Sequence, residues 1–384
     1  MKKLDTQILI IGGGPAGSTT VLYLSRLGFD ITLVEKKAFP RDTLCGEFLS
    51  KEVADVLKDL NLFADFISLK PNRINSFRAV DYSGIELRSD LSFEAYAMKR
   101  SVYDNFLLEK VKTRNVNVIQ PAEVISTAKI NSDFISEIKD NSGELITIKS
   151  KLVIAAYGKQ NILDKKMQRG FLNKKSTLNG VKFHMPISLL QENFSDEIRI
   201  YVNEGLYCGL NRISDNEITV CFLEDRKESR IPAKEKLIAA IESKRHFHKV
   251  FSAKALDYIK SANIYGTGNI YFGKRKVIEN GVIMVGDAAQ VISPLAGDGI
   301  GMAMESARLL YETICKNKLD ESNREKIYLE YRNNFEKAFN KRLRTAKIIQ
   351  KLFLNKILCK ISFSIAYRYP ILLPYLIKLT RSSN

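Results

Sequence analysis

The first third of the chain opens on a clear alternation of apolar and polar positions. A short apolar run spans Gln7 to Ile11, Gly12 to Gly14 break it, and Ala16 to Leu27 repeat apolar residues at helical spacing until Gly28. Strand character resumes from Ile31 to Val34. The pattern predicts strand, tight turn, helix and strand: a βαβ opening whose helix is the right-handed crossover between parallel neighbours. Between 166 and 270 the pattern changes. Stretches such as Glu197 to Asn203 and Glu217 to Leu223 alternate with period two and predict antiparallel strands, and Phe77 to Leu87 predicts a hairpin about Ser83 and Gly84. Further on, an apolar strand from Gly281 to Val285 runs into Gly286-Asp287, and Gly297-Asp298-Gly299-Ile300-Gly301 opens a helix through Leu310. From Lys341, Leu, Ile and Phe mix with Lys and Arg at roughly helical spacing, interrupted at Pro370 and Pro374.

At 384 residues the chain exceeds what one core usually serves, which predicts two domains or one with a large insertion. With 45% hydrophobic and 27% charged residues it is globular, not disordered, collagen-like or a disulfide scaffold. Five cysteines with no Cys-x-x-Cys pair argue against a disulfide framework or structural zinc and point to a reducing, cytoplasmic setting. The net charge of +17 is unevenly placed, since residues 337–384 hold eleven basic side chains and no acidic one. A nucleic-acid partner calls for a basic stripe across the folded face, so none is expected. The amino terminus lacks the long apolar core of a secretory signal, and no uncharged apolar stretch reaches the ~18 residues of a bilayer span.

Within the opening unit, Gly12-Gly13-Gly14-Pro15-Ala16-Gly17 matches G-x-G-x-x-G, with Glu35 at the end of the second strand. Gly12 permits the turn, Gly14 lets backbone approach a pyrophosphate, and Gly17 lets helix and strand pack closely. The helix N-terminus, entered through Pro15 and Ala16, offers unpaired N–H groups to the anion. Glu35 can accept from ribose hydroxyls and disfavours a 2′-phosphate. Asp287, at a strand end beside a glycine-rich helix start, can bind a ribityl chain, although a helix cap plus a turn would read the same way.

These segments, together with Glu35-Lys-Lys-Ala-Phe-Pro-Arg-Asp-Thr-Leu-Cys45-Gly46-Glu47 and Lys99-Arg100-Ser-Val-Tyr-Asp104, resemble in order and spacing the FAD-dependent geranylgeranyl reductase family, within the para-hydroxybenzoate-hydroxylase-like flavoproteins. The resemblance covers residues 4 to about 335. It implies an α/β fold: a Rossmann-like FAD-binding domain (1–75, 95–165 and 270–315), an inserted antiparallel-sheet substrate domain (76–94 and 166–269) and a C-terminal helical segment (316–384). It places Gly12, Gly14, Gly17 and Glu35 on the ADP half of FAD, Arg41 and Arg100 near ribose and pyrophosphate, and Gly286-Asp287 on the ribityl and phosphate region. Gly297, Asp298, Gly299 and Ile300 would border the isoalloxazine, and Cys45-Gly46 would lie near the flavin, with a buried structural thiol as the competing reading for Cys45. Two departures stand out. Ala155-Ala156-Tyr157-Gly158 keeps the glycine of a usual Asp-Gly but loses the acid. Of the reductases' Tyr-x-Trp-x-Phe-Pro only Tyr207 survives, and the chain has no Trp, which sets halogenation aside.

The implied activity is reduction of a carbon–carbon double bond in an apolar, isoprenoid or lipid-like substrate, with Cys45, Gly46 and Tyr207 as candidate catalytic positions. A monooxygenase acting on an aromatic or polyketide-like substrate and a non-catalytic flavin-binding protein are the alternatives. No second G-x-G-x-x-G occurs in a βαβ setting, so NAD(P)H is expected only as a transient donor. Of the three histidines, His246 and His248 read as solvated surface and His184 as a structural residue that could line the pocket; no metal is expected. The basic tail, 341–384, is expected on an anionic membrane surface at the inner face of the cell membrane, its competing reading being an apolar face packed on the body. The oligomeric state is left open.

Overall fold

A computed structural model of the chain describes residues 2–203, 205–227, 231–243 and 245–382. Two sheets stand over one another. The first runs in the order Ile278–Glu279, Val282–Met284, Leu145–Ala155, Lys2–Ile11, Ile31–Val34 and Asn117–Ile119, parallel from Val282–Met284 onward. Ile8, Leu9 and Ile10 are fully buried, as continuous apolar strands covered on both faces require. The helix Pro15–Leu24 is buried along its whole length, which explains why its apolar positions are not confined to one stripe; Gly28, in the left-handed region at φ +74°, ends the turn that follows it. The strands Ala122–Ile130 and Asp133–Asp140 fold antiparallel onto the first half of Leu145–Ala155.

The second sheet runs Tyr265–Thr267, Leu178–Pro186, Glu217–Asp225, Leu206–Arg212, Glu197–Asn203, Asn72–Val80, Glu86–Ala97 and Phe48–Leu49. The hairpin forms about Ser83-Gly84 with Gly84 at φ +90°. Two expectations need correction. The sheet is not wholly antiparallel: Glu197–Asn203 pairs parallel with Asn72–Val80, because the chain leaves the sheet after the hairpin to build the first layer and returns beside it. Residues 48–49, 72–75 and 95–97, assigned above to the cofactor part, extend this second sheet, since Phe48 and Leu49 pair with Ala97 and Tyr96.

Cross-strand register sorts the sheet's residues by face. Val181, Phe183, Val220 and Phe222 point outward and form a core with the helices Ala233–Ser243 and Ala253–Ser261. The opposite face carries Lys182 against Cys221, His184 and Asn211 against Thr219, Gly209 against Cys221 and Ile200, and Tyr207 against Leu223 and Val202. This inner face is polar at the Thr219 end and apolar at the Tyr207 end.

The C-terminal part is helical: Arg324–Leu354, Lys356–Arg368 and Leu372–Leu379. Asn355 starts the second of these, its side chain accepting from the Leu358 N–H at 3.0 Å. The expected boundary at 341 is corrected: it falls inside the first helix, where Arg342 is buried. Among the described residues no helix is long and apolar enough to cross a membrane.

Candidate functional site

A cavity of about 810 Å³ lies between the carboxyl ends of the parallel strands and the inner face of the second sheet. Its floor is the opening turn. Gly12 sits at φ +104°, and a Cβ there would meet the Ala156 carbonyl oxygen at 2.7 Å; a Cβ on Gly17 would lie 1.8 Å from the Gly12 carbonyl oxygen. Both glycines are therefore demanded by the protein itself. Gly14 differs, since its Cβ would find only an Arg41 nitrogen at 3.6 Å, so this glycine faces open cavity. No side chain caps the helix that begins at Pro15, and its first N–H groups, from Ala16 on, remain for an anion.

Glu35 stands beside this turn. One carboxylate oxygen accepts from the Gly13 N–H at 2.6 Å and the other from the Lys37 N–H at 2.8 Å, with Arg41 Nε 3.7 Å away. Arg41 lies over the Phe39 ring and reaches to 3.6 Å from Asp104. Arg100 spends two nitrogens on Asp104, at 2.7 and 2.8 Å. Burial opposes its charge, but Asp104 and the Cys45 sulfur raise its pKa above the usual arginine value. The resemblance set Arg100 near ribose and pyrophosphate; it lines the cavity and braces its wall through Asp104.

On the far side Gly286, at φ +61°, brings its strand end against the first helix, where a Cβ would lie 2.8 Å from that of Ala16. Asp287 follows, half-buried and lining the cavity. Gly297, at φ +58°, turns the chain past Phe48 into the helix Gly299–Asn317, which no side chain caps and whose first turn, with Gly299 and Ile300, borders the cavity. Two uncapped helix starts converging on one cavity, with open backbone at Gly14 and carboxylates at Glu35 and Asp287, fit the phosphates, ribose and ribityl chain of FAD.

Asp298 lines the same cavity and does more than the sequence suggested. Its carboxylate is fully buried and bonded to Arg342, with Ser50 Oγ at 3.3 Å and Arg381 at 3.7 Å. Glu52 and Glu305 join the same cluster, and Arg342 contacts Glu305 at 2.5 Å. Burial and the Glu52 charge push the Asp298 carboxyl well above its ordinary range. For Glu52 burial acts the same way, but Arg381 and Arg342 outweigh it and hold the pKa at about 2. Asp298 lines the cavity, and its side chain ties the loop to the C-terminal helices.

The sequence reading missed a second enclosed polar cluster. Glu47, a non-glycine residue at φ +57°, is wholly buried next to Cys45-Gly46. Its carboxylate accepts from Lys182 Nζ at 2.5 Å and the Arg100 N–H at 2.9 Å, meets His184 Nε2 at 2.7 Å, and is bonded by Thr219 Oγ1. Burial would raise its pKa, but the His184 bond and the Lys182 charge bring it down to about 2. The available signal was Lys182-Phe183-His184, which puts two polar residues on one face of an apolar strand. Asp42, Glu47 and His184 bring ligand-type atoms within 4.8 Å of one another, yet both Glu47 oxygens are already taken and Lys182 supplies the cation. Cys45 is half-buried, lines the cavity, and its sulfur accepts from the Glu47 N–H at 3.3 Å, while Asn211 Nδ2 holds the Gly46 carbonyl at 3.2 Å. Tyr207 lines the apolar end, its phenol pushed well above the usual value by burial. His248 is exposed, bonded to the Glu242 carbonyl at 2.8 Å; the side chain of His246 lies outside the described residues.

A dinucleotide cradle on a parallel sheet, roofed by a second sheet, defines a flavoprotein oxidoreductase. The chain belongs to the FAD binding domain family, whose pattern matches residues 5–342, and it is an FAD-dependent oxidoreductase with NAD(P)H as the usual reductant of such proteins. It is 23% identical over 328 residues to the digeranylgeranylglycerophospholipid reductase of Thermoplasma acidophilum, covering 82% of this chain and 79% of that one. It is 22% identical over 365 residues to the 1H-pyrrole-2-carbonyl-[peptidyl-carrier protein] chlorinase of Pseudomonas fluorescens, covering 84% and 79%. A match of 24% identity over 340 residues to Conditioned medium factor receptor 1 of Dictyostelium discoideum takes in 79% of this chain but 62% of that longer protein. Among solved structures, a geranylgeranyl bacteriochlorophyll reductase-like protein from Thermoplasma acidophilum has the same fold, with a TM-score of 0.78 at 19% identity, covering 98% of this chain and all of that one.

Among the described residues the Asp287 carboxylate makes no hydrogen bond or close ion pair, only a longer-range attraction to Arg275, so Asp287→Ala is expected to leave the melting temperature of the flavin-free protein nearly unchanged. FAD affinity should fall about tenfold or more, the worth of one or two bonds to hydroxyls. Fluorescence titration with FAD measures it.

Proposed function

We propose that this oxidoreductase reduces a carbon–carbon double bond in an apolar, isoprenoid or lipid-like substrate. The observation that carries the reading is the gradient along the cavity roof. Ile200, Tyr207, Leu223, Ile270, Val291 and Leu295 form an apolar end suited to methyl-branched units, while the charged Glu47 cluster lies at the opposite end. FAD, when bound, supplies hydride. The chain's own residues do the rest: the roof excludes water from the reacting carbons, Cys45 is held at the cavity wall by the Glu47 N–H, and Tyr207, kept protonated by burial, places its phenol Oη beside the apolar end. The reductase relative supports the reading, and the halogenase relative makes an oxygen-dependent reaction its rival.

The test is anaerobic turnover of the FAD-loaded protein with NADPH and a geranylgeranyl lipid, followed by mass spectrometry. The expected product gains two hydrogens per reduced bond, and Tyr207→Phe slows turnover about tenfold or more without loss of flavin. Turnover that requires oxygen and inserts an oxygen or halogen atom into the product overturns the reading.

A further inference from the structure

The helix Lys356–Arg368 is apolar on two opposite sides. Cys359, Phe363 and Ala366 are buried and pack with Val202, Tyr207, Leu223 and Ile270, so this side of the helix closes the apolar end of the roof. At 3.6 residues per turn, Ile357, Leu358, Ile361 and Ile365 fall on the far side. They are 70%, 44%, 51% and 47% exposed, and Ile371, just beyond, is 78% exposed. Among the described residues nothing covers that stripe. An isolated exposed apolar residue needs no explanation, but a continuous stripe directed away from the body does.

The charges beside the stripe identify what meets it. Lys351, Lys360, Arg368 and Lys378 are exposed and carry no ion pair among the described residues. Other exposed lysines are matched by carboxylates, as Lys36 is by Glu123 and Lys58 by Glu94, and others are not; what sets this face apart is that its cations stand beside an exposed apolar stripe. From 337 to the end there is no acidic residue to match them. Exposed tyrosines, Tyr367, Tyr369 and Tyr375, stand among the apolar and basic residues, the composition suited to the boundary between headgroups and acyl chains.

We infer that the helix Lys356–Arg368 and the turn at Ile371 form a docking surface for an anionic lipid bilayer. The outer apolar stripe enters the headgroup boundary and the flanking cations meet lipid phosphates. Both readings of the tail thus apply to one helix: its inner side packs on the body and its outer side meets lipid. Insofar as the apolar end takes a lipid-like substrate, which rests on the reading above, docking brings that end within one helix diameter of the bilayer, and a substrate need not cross water.

The experiment is flotation of full-length, FAD-loaded protein with vesicles of phosphatidylglycerol and phosphatidylcholine, beside vesicles of phosphatidylcholine alone, without substrate or donor. Binding is expected on the anionic vesicles, weakened by salt and by removing the anionic lipid. The double variant I361E/I365E, at exposed positions, should retain flavin absorbance and melting temperature and bind roughly tenfold or more weakly; K360E/R368E should lose the salt dependence along with most of the binding. Failure of the parent protein to float with anionic vesicles overturns the inference. So does undiminished binding by I361E/I365E, or a parent that is a dimer in solution which I361E/I365E dissociates without any change at vesicles, since the stripe would then face a second copy. Because no turnover is measured, these outcomes are independent of the reaction catalysed.

Discussion

Gly14→Val is expected to give a protein that folds and is colourless. Position 14 has φ −70° and ψ −172°, extended backbone open to any residue, and its Cβ direction points into free cavity. The flavin-free protein should therefore melt within about 0.5 kcal/mol of the parent. The added methyls occupy the path by which backbone reaches the pyrophosphate, and FAD affinity should fall at least about 100-fold, or ~3 kcal/mol. Gly17→Ala is the contrasting case. Its Cβ would stand 1.8 Å from the Gly12 carbonyl oxygen, so the helix must move off the strand whether or not FAD is present. It should cost about 3 kcal/mol or more even in flavin-free protein. Absorbance at flavin wavelengths together with thermal melts of both variants separates the two glycines. A Gly14→Val protein that purifies yellow would remove this assignment of the cradle.

The second large effect is expected at Glu47. Glu47→Gln leaves the buried Lys182 without its carboxylate and should destabilise the protein by about 3–5 kcal/mol, the usual cost of breaking one side of a buried ion pair. Glu47→Gln with Lys182→Met removes both charges and should recover much of that loss; equal loss in single and double variants would show that the pair is not the source. The acid dependence has a definite sign. The folded pKa, about 2, lies below the ordinary 4.5, so the stabilisation is complete above pH 4.5 and drains away as pH falls toward 2. Urea melts across that window should show a flatter profile for Glu47→Gln than for the parent.

The cradle was legible in the sequence because its constraints are local. Gly12, Gly17 and Gly286 are fixed by contacts within a turn or between neighbouring elements, and an apolar run from Ile8 to Ile11 has few structural readings. The Glu47 cluster was not legible, because it exists only when the loop after the second strand meets Lys182, His184 and Thr219 from two strands far along the chain. Asp298 was legible only in part. Its place in a glycine-rich helix start put it at the cavity, which it lines, but nothing local revealed that Arg342 and Arg381 would also bond its carboxylate. Likewise the periodicity from Lys341 showed a helix with apolar and basic positions but could not show that the burial of Arg342 makes its first turns part of the body.

The clamp on Asp298 bears on how the molecule is made. Glu52, Asp298 and Glu305 leave the ribosome before Arg342 and Arg381, so for part of synthesis three carboxylates destined for one buried spot lack both of their cations. Until those arginines arrive, the carboxylates favour solvent over burial, and the loop from Gly297 to Gly301 has no reason to settle against Phe48 and Ser50. The turn at Gly12 to Gly17, complete once Leu145–Ala155 has joined the sheet, can form early on the nascent chain, whereas the loop from Gly297 to Gly301 waits for Arg381, just past the last helix. A ribosome stalled short of Arg381 should hold a chain that already recognises adenine dinucleotide but cannot yet seat the flavin ring.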